Sequence, residues 1–308
     1  MKSDQDYDIS LPRIDCAVTV LEQPLVIIII LNWNGWQDTL NCLSTLKEVD
    51  YKNFNLIIID NGSIDDSINR LRAEDPNLKI IETGGNRGFA GGCNVGIWHA
   101  FEMGAKYIWL LNNDTKVDQK SLSALVAAAE DNQEIGAVGS VLYEMDHPNL
   151  IQAWGGGVVD LHTGKSHHVK KQNDAFNYLT GGSLLLKVKA LQQCGLLDEG
   201  FFVYWEDTDL SFRLVASGWK LAVEPTSKVW HKESASTGRF SKSRARLFYK
   251  SRVRFFYRHS PWPLFAILYG LLDQTMRDIY RRRGPHLIGV WEGTLLGFAD
   301  KRRSWHSR

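Results

Sequence analysis

Leu25-Val26-Ile27-Ile28-Ile29-Ile30-Leu31-Asn32-Trp33-Asn34-Gly35 decides the fold: an unbroken β-branched run stops abruptly at asparagines and a glycine. A strand with one wet face alternates apolar and polar residues; this one does not, so it is buried on both faces. The unit then repeats. Gln37 to Val49 has helical periodicity through Leu40, Leu43 and Leu46, and Phe54 to Ile59 is a second buried strand ending in Asp60-Asn61-Gly62-Ser63. Asp65 to Glu74 reads as helix and Leu78 to Glu82 as a third strand. A Gly-rich stretch from Gly84 to Gly92 follows, opening a helix that reaches Met103. Tyr107 to Leu111 is a fourth strand, ending in Asn112-Asn113-Asp114, and Ser121 to Asp131 is an Ala-rich helix. Successive strand–loop–helix units predict an α/β fold with a mostly parallel central sheet flanked by helices. Ligands of such sheets bind beyond the carboxyl ends of the strands. Asn32, Asn34, Asp60, Asn86, Arg87 and Asp114 all fall there.

After Ile135 the pattern becomes a smaller mixed β region, with strands at Ala137 to Tyr143, Gly157 to Asp160, Ser183 to Val188 and Leu221 to Glu224. Asp207 to Ser217 reads as a helix. The expected division is an N-terminal extension (1–24), a catalytic-type domain (25–238, its halves meeting at 135/136) and a basic, aromatic helical tail (239–308). With 44% hydrophobic and 23% charged residues in 308, the chain is of ordinary globular composition, which excludes disordered and fibrous classes. Cys16, Cys42, Cys93 and Cys194 are widely spaced, which argues against a zinc site or a disulfide scaffold and for a reducing compartment.

Charge is divided unevenly. From Arg239 to Arg308 there are 16 Lys and Arg against 4 Asp and Glu; the residues before hold 20 and 31. Such a tail reads as a contact surface for anionic lipid or nucleic acid, or as a solvated helix. No nucleic-acid module is visible and the acidic body would repel nucleic acid, so the expectation is an anionic membrane surface; the alternative is that the aromatics pack back onto the body or form a homodimer interface, leaving the arginines solvated. Residues 1–24 lack a basic region followed by an apolar one, and no apolar run is long enough to span a bilayer. The expected location is cytoplasmic, peripheral on the cytoplasmic face of the inner membrane.

Four places could carry chemistry. Asp60 can accept hydrogen bonds from a base N–H or a ribose hydroxyl, or simply cap the following helix. Asp114 suits a divalent cation, since such ions take one or two carboxylates plus substrate phosphates; a turn is the bland reading. Tyr204-Trp205-Glu206-Asp207-Thr208-Asp209 sets three acids among aromatics, where desolvation raises a carboxylate's pKa toward that of a general base. Acids in a first helical turn are also favoured by the macrodipole alone. His231, just past a strand, is a candidate ligand or an ordinary structural histidine. The stretch Gly84 to Gly92 lacks G-x-G-x-x-G spacing, and no G-x-x-x-x-G-K-[ST], G-x-S-x-G or H-E-x-x-H is present.

Taken in order, Asn-Trp-Asn-Gly (32–35), Ile-Asp-Asn-Gly-Ser (59–63), Asn-Arg-Gly-Phe-Ala-Gly-Gly-Cys-Asn (86–94), Leu-Asn-Asn-Asp (111–114) and Tyr-Trp-Glu-Asp-Thr-Asp-Leu (204–210) resemble glycosyltransferase family 2, most closely its rhamnosyltransferase-like branch. The resemblance covers Leu25 to His231. It implies a GT-A fold, a nucleoside-diphosphate sugar donor, a glycan or lipid-linked glycan acceptor, a divalent metal (Mn²⁺ or Mg²⁺) and inversion at the anomeric carbon. By this resemblance Asp207, with Glu206 beside it, is the catalytic acid pair, and Asp207 the general base. Asn32, Asn34, Asp60, Asn86, Arg87, Gly88, Asn94 and Asn113 line the nucleotide-sugar side. Asp114 and His231 hold the metal, with Asn112 a weak ligand where relatives carry a first aspartate. Trp154, Gly181, Gly182, Tyr204 and Trp205 face the acceptor. The resemblance favours dTDP-L-rhamnose as donor. A binding module that has lost catalysis, or a nucleotidyltransferase, is the alternative.

Overall fold

The computed structural model describes residues 23–232 and 240–305; the N-terminal extension up to 22, and Arg239 at the start of the expected tail, lie outside them. β1 (Val26–Asn32), α1 (Trp36–Leu46), β2 (Phe54–Asp60), α2 (Ser67–Glu74), β3 (Lys79–Glu82), α3 (Gly88–Glu102) and β4 (Tyr107–Asn112) form the expected alternation. Next come β5 (Thr115–Val117), α4 (Ser121–Asp131), β6 (Ile135–Glu144), β7 (Ile151–Trp154), β8 (Gly156–Val159), β9 (Ser166–His168) and β10 (Tyr178–Leu179). β11 (Ser183–Lys187), α5 (Val188–Cys194), α6 (Glu206–Ala216) and β12 (Lys220–His231) precede three long helices, α7 (Lys242–His259), α8 (Pro263–Tyr280) and α9 (Gly284–Trp305).

The main sheet runs β3-β2-β1-β4-β11-β6-β12-β5, with β7 joined to β6, and β10-β8-β9 form a small separate sheet. β3, β2, β1 and β4 are parallel; β11 enters antiparallel between β4 and β6, and β12 runs parallel to β6. The double burial read from β1 holds. Val26, Ile28 and Ile30 pack in one core and Ile27 and Ile29 in the other, each 0–1% exposed. Each such isoleucine contributes roughly 1.5–3 kcal/mol of burial.

β12 extends to His231 rather than stopping at Glu224. Pro225 has no N–H for the ladder, so the strand bulges between Glu224 and Lys228 and then resumes its pairing with β6.

The tail also differs from expectation: α7 is integral to the body. Phe255 and Phe256 are 0% exposed, and both pack on Trp205, with ring centroids 4.9 and 5.6 Å away. The guanidinium of buried Arg252 donates to the carbonyls of Gly164 at 3.0 Å and Ala266 at 3.2 Å. Arg254 and Arg258 both pair with Asp198 at 2.8 Å. α9 lies against α7 through Gly289, Gly293 and Gly297. A methyl group on Gly289 or Gly293 would stand 2.3 Å from a carbonyl oxygen of α7.

Candidate active site

The site assembles at one edge of the main sheet because register puts the strand ends level. Asn32 lies opposite Asp60, and Leu31 opposite Asn112. β11 runs the other way, so its beginning reaches the same edge, and Gly182 accepts a hydrogen bond from the Asn112 N–H at 3.1 Å. His231 ends β12 opposite Thr115, and the next N–H, that of Lys232, donates to the Asp114 carbonyl at 3.0 Å.

At the β1–β2 end, Asp60 is 1% exposed. Its carboxylate accepts from Asn32 Nδ2 at 3.0 Å and from the Ser63 N–H at 3.0 Å. The Ser63 contact closes the loop three residues on; the following helix begins at Ser67 and is preceded by Asp66, so Asp60 does not cap it. Asn32 also donates to Ser63 Oγ and accepts from Thr39 Oγ1, so both of its amide hydrogens are taken within the protein. Asn34, at φ +51°, accepts from the Ile64 N–H and ties the two loops together. Asn113 donates to Thr39 Oγ1 at 3.0 Å, so one chain of hydrogen bonds links the ends of β4, β1 and β2.

Asn86 and Asn61 shape the Gly-rich loop. Asn86 Oδ1 accepts from the Gly88 N–H at 2.8 Å, and Asn61 Oδ1 from the Arg87 N–H at 3.0 Å; the Arg87 side chain is exposed. Gly88 has φ +72°, and a Cβ there would stand 2.3 Å from the Phe202 carbonyl, so only glycine fits. Asn94 departs from the expected placement. It is 5% exposed and spent on the backbone of Leu197 and on Glu199, where it fastens α3 to the turn ahead of α6.

Beside Gly182 stands a polar cluster. His231 Nε2 lies 3.2 Å from Asp114 Oδ1 and 3.2 Å from Asn112 Nδ2, while its Nδ1 meets Gln152 Oε1 at 2.8 Å. An amide oxygen only accepts and an amide nitrogen only donates, so in the neutral ring the proton is on Nδ1, toward Gln152, and Nε2 is the acceptor between Asn112 and Asp114. Asn112 Oδ1 is buried without a hydrogen-bond partner. Among the described residues no group of three His, Cys, Asp or Glu converges on one point.

One residue away, the Gly181 N–H donates to Asp207 Oδ2 at 2.8 Å, and Thr208 donates its N–H (2.6 Å) and hydroxyl (3.1 Å) to Oδ1. Burial nonetheless raises the Asp207 pKa above the ordinary carboxylate value, with these donors opposing the rise. Glu206 is pushed well above its ordinary value by burial and by the charge of Asp207, and its Oε2 has no partner. The approach to α6 is strained: Phe202, Tyr204 and Trp205 all have positive φ, at +64°, +66° and +74°. Bulky residues hold such backbone only where surrounding packing forces it.

Of the expected acceptor-side residues, Gly181 and Gly182 stand directly at the site. Tyr204 is half-buried against Phe248, and Trp154, on β7 opposite Val141, is half-buried too. Trp205 departs from expectation: it is 4% exposed and belongs to the core under α7. Sequence reasoning missed Thr39, Gln152 and Thr208. Thr208 is foreshadowed by its place beside Asp207; Gln152 carries no sequence signal.

Known proteins show what the chain as a whole is similar to. An N-acetylglucosaminyl-diphospho-decaprenol L-rhamnosyltransferase of Mycobacterium tuberculosis is 28% identical over 75% of this chain and 84% of its own length. A dTDP-rhamnosyl transferase, RfbF, of Shigella flexneri is 23% identical over 66% and 67%. Among solved structures, GalNAc-T7 with UDP, GalNAc and Mn²⁺ superimposes with a TM-score of 0.63 at 16% identity over 77% of this chain, which spans 48% of that protein. The Pyrobaculum calidifontis mannosyltransferase PcManGT, with GDP-Man and Mn²⁺, gives 0.58 at 17% identity over 91% of this chain and 76% of that one. The fold is thus that of GT-A glycosyltransferases. Residues 26–195, more than half the chain, match the family described as Glycosyl transferase family 2, and the chain belongs to that family as a glycosyltransferase.

Proposed function

We propose that the chain transfers L-rhamnose from a dTDP-activated donor to a hydroxyl of a glycan or lipid-linked glycan, with inversion. Both rhamnosyltransferase relatives support that donor sugar, and the decaprenol-linked substrate named for one supports a lipid-linked acceptor. The observation that carries the reading is the Gly181-Gly182 corner. The Gly181 N–H holds Asp207, and the next residue, Gly182, stands beside the ring of His231, which meets Asp114.

Asp114 and His231 fit a divalent cation. Two acceptors 3.2 Å apart repel unless a proton or a cation lies between them, and the buried Asn112 oxygen beside them has no partner. Asp114 and His231 would hold the ion with Asn112 at its edge, and diphosphate and water would complete the set; an imidazole ligand favours Mn²⁺ over Mg²⁺. When bound, such an ion neutralises charge on the departing diphosphate. Asp207, kept ready to take a proton by burial, receives it from the attacking acceptor hydroxyl. A single displacement of this kind inverts the anomeric carbon and needs no enzyme nucleophile. Burial and the charge of Asp207 shift Glu206 toward its neutral form, which lessens charge repulsion beside Asp207. Asp60, Asn86 and Arg87 are the groups proposed to meet the nucleotide.

Thermal shift and product release with dTDP-, UDP- and GDP-sugars test the proposal. Stabilisation and nucleoside-diphosphate release with dTDP-rhamnose support it; stabilisation by GDP-sugars alone overturns the donor. Pyrophosphate release would mark a nucleotidyltransferase instead, and binding with no release a module without catalysis.

A further inference from the structure

The sequence assigns membrane contact to the whole tail from Arg239; the structure separates its helices. α7 turns its aromatics inward, whereas α8 does not. One stripe of α8, Ala266, Ile267, Gly270 and Leu271, is buried. At 100° per residue the opposite stripe contains Leu264, Phe265, Leu268, Leu272, Met276 and Ile279, each 50–67% exposed. Eight of the 19 exposed large apolar side chains among the described residues lie on this one helix of 18 residues. A helix that is apolar on its outer as well as its inner side has an unfilled contact.

We propose that this outer face of α8 lies on an anionic phospholipid bilayer. Charge argues for lipid. Arg281 and Arg282, both exposed, follow the helix directly, next to Arg277, while Tyr280 (87% exposed) and Trp262 (67%) stand at its two ends as amphipathic aromatics suited to a headgroup boundary. The acids of α8 are engaged already: Asp273 pairs with Arg277 at 2.8 Å, and buried Asp278 with His286 at 2.6 Å. A second copy of this face would therefore meet the arginines with arginines and offer no unengaged acid. Crossing the bilayer is a different matter; no helix among the described residues is long and apolar enough to do so. The helix lies in the interface plane. The proposal stands whether or not the acceptor is lipid-linked.

Co-sedimentation of the full chain with phosphatidylcholine vesicles, with and without phosphatidylglycerol, tests it. The chain is expected to sediment with the phosphatidylglycerol vesicles, less so at high salt. The double variant Leu268→Glu/Leu272→Glu is expected to partition at least tenfold less, with its melting temperature unchanged because both side chains are exposed. Arg281→Gln/Arg282→Gln is expected to lower binding by roughly fivefold per arginine. A parent chain that stays in solution with both vesicle types, or variants that partition like the parent, overturn the proposal. So does a dimer in sedimentation velocity that Leu268→Glu/Leu272→Glu abolishes while vesicle binding is absent, since the face then belongs to a second copy.

Discussion

The two sides of the first turn of α6 are made of the same material and do opposite things. Asp207 faces Gly181 at the strand-end edge of the sheet and Asp209, two residues on, faces α7. Both gain equally from the helix N-terminus, so the macrodipole does not distinguish them. Partners do. Asp207 is met by neutral N–H and O–H donors from Gly181 and Thr208, and burial raises its pKa. Asp209 is 0% exposed, and burial alone would raise it as well; His259, Arg213 and Arg258 at 2.7–2.9 Å outweigh that and hold it at about 2. Neutral donors offset only part of what burial does to a carboxylate, and its affinity for a proton stays raised. Cations abolish it, turning the acid into a clamp.

Replacing each acid separates reactivity from stability. Asp207→Asn is expected to lower kcat by about 10²–10⁴, with donor binding in a thermal-shift assay nearly unchanged. A near-parental rate removes Asp207 from the base role. A base must be unprotonated to work, so the raised Asp207 pKa moves the acid limb of the rate profile above the ordinary carboxylate value of 3.8. An acid limb at or below that value contradicts the assignment.

Asp209→Ala is expected to leave the chemistry of bound substrate intact and to destabilise the fold by about 1.5–3 kcal/mol in denaturant titration, because it removes the buried carboxylate that joins α6 to α7, while Arg213 and Arg258 keep their carbonyl and Asp198 partners. The Asp209 pKa is depressed on folding, so its contribution is present above about pH 4. It is lost as pH falls toward about 2, on the order of 2 kcal/mol in all. Loss of stability on raising the pH, instead of lowering it, would show that Asp209 is not the clamp.

The sheet was legible because strands buried on both faces write themselves as unbroken apolar runs, and the strand-end positions of Asp60 and Asp114 follow directly. The inward turn of α7 was legible only as the alternative to membrane contact, and the burial of its arginine was not legible at all. Arg244, Arg246, Lys250, Arg252, Arg254 and Arg258, interleaved with aromatics, look like surface, yet Arg252 is satisfied by carbonyls of Gly164 and Ala266, a match visible only in three dimensions. Trp205 and Asn94 read as cleft residues for the same reason, since their partners lie on distant segments. Thr39 and Gln152 were invisible as neutral hydrogen-bonding residues whose importance comes wholly from what folding brings beside them.

The smallest expected effect sharpens the picture on the cleft side. Gly181 has no positive φ, and a Cβ there would stand 3.5 Å from Asp207 Cβ and Oδ2 and 3.7 Å from the Phe89 ring, all ordinary contacts. Gly181→Ala should therefore change stability by no more than about 0.5 kcal/mol, and its N–H still serves Asp207. The added methyl nevertheless occupies space beside the very oxygen proposed to receive the acceptor's proton. KM for the acceptor is expected to rise on the order of tenfold, about 1.4 kcal/mol, with donor affinity and melting temperature unchanged. Gly182→Ala directs its methyl at Leu142 (3.0 Å) and toward the His231 ring (3.9 Å), so its effect belongs on the metal and donor side. Steady-state kinetics of the two variants with acceptor and donor varied in turn separates these outcomes. An unchanged acceptor KM in Gly181→Ala would mean that the hydroxyl approaches Asp207 from the opposite side of the carboxylate.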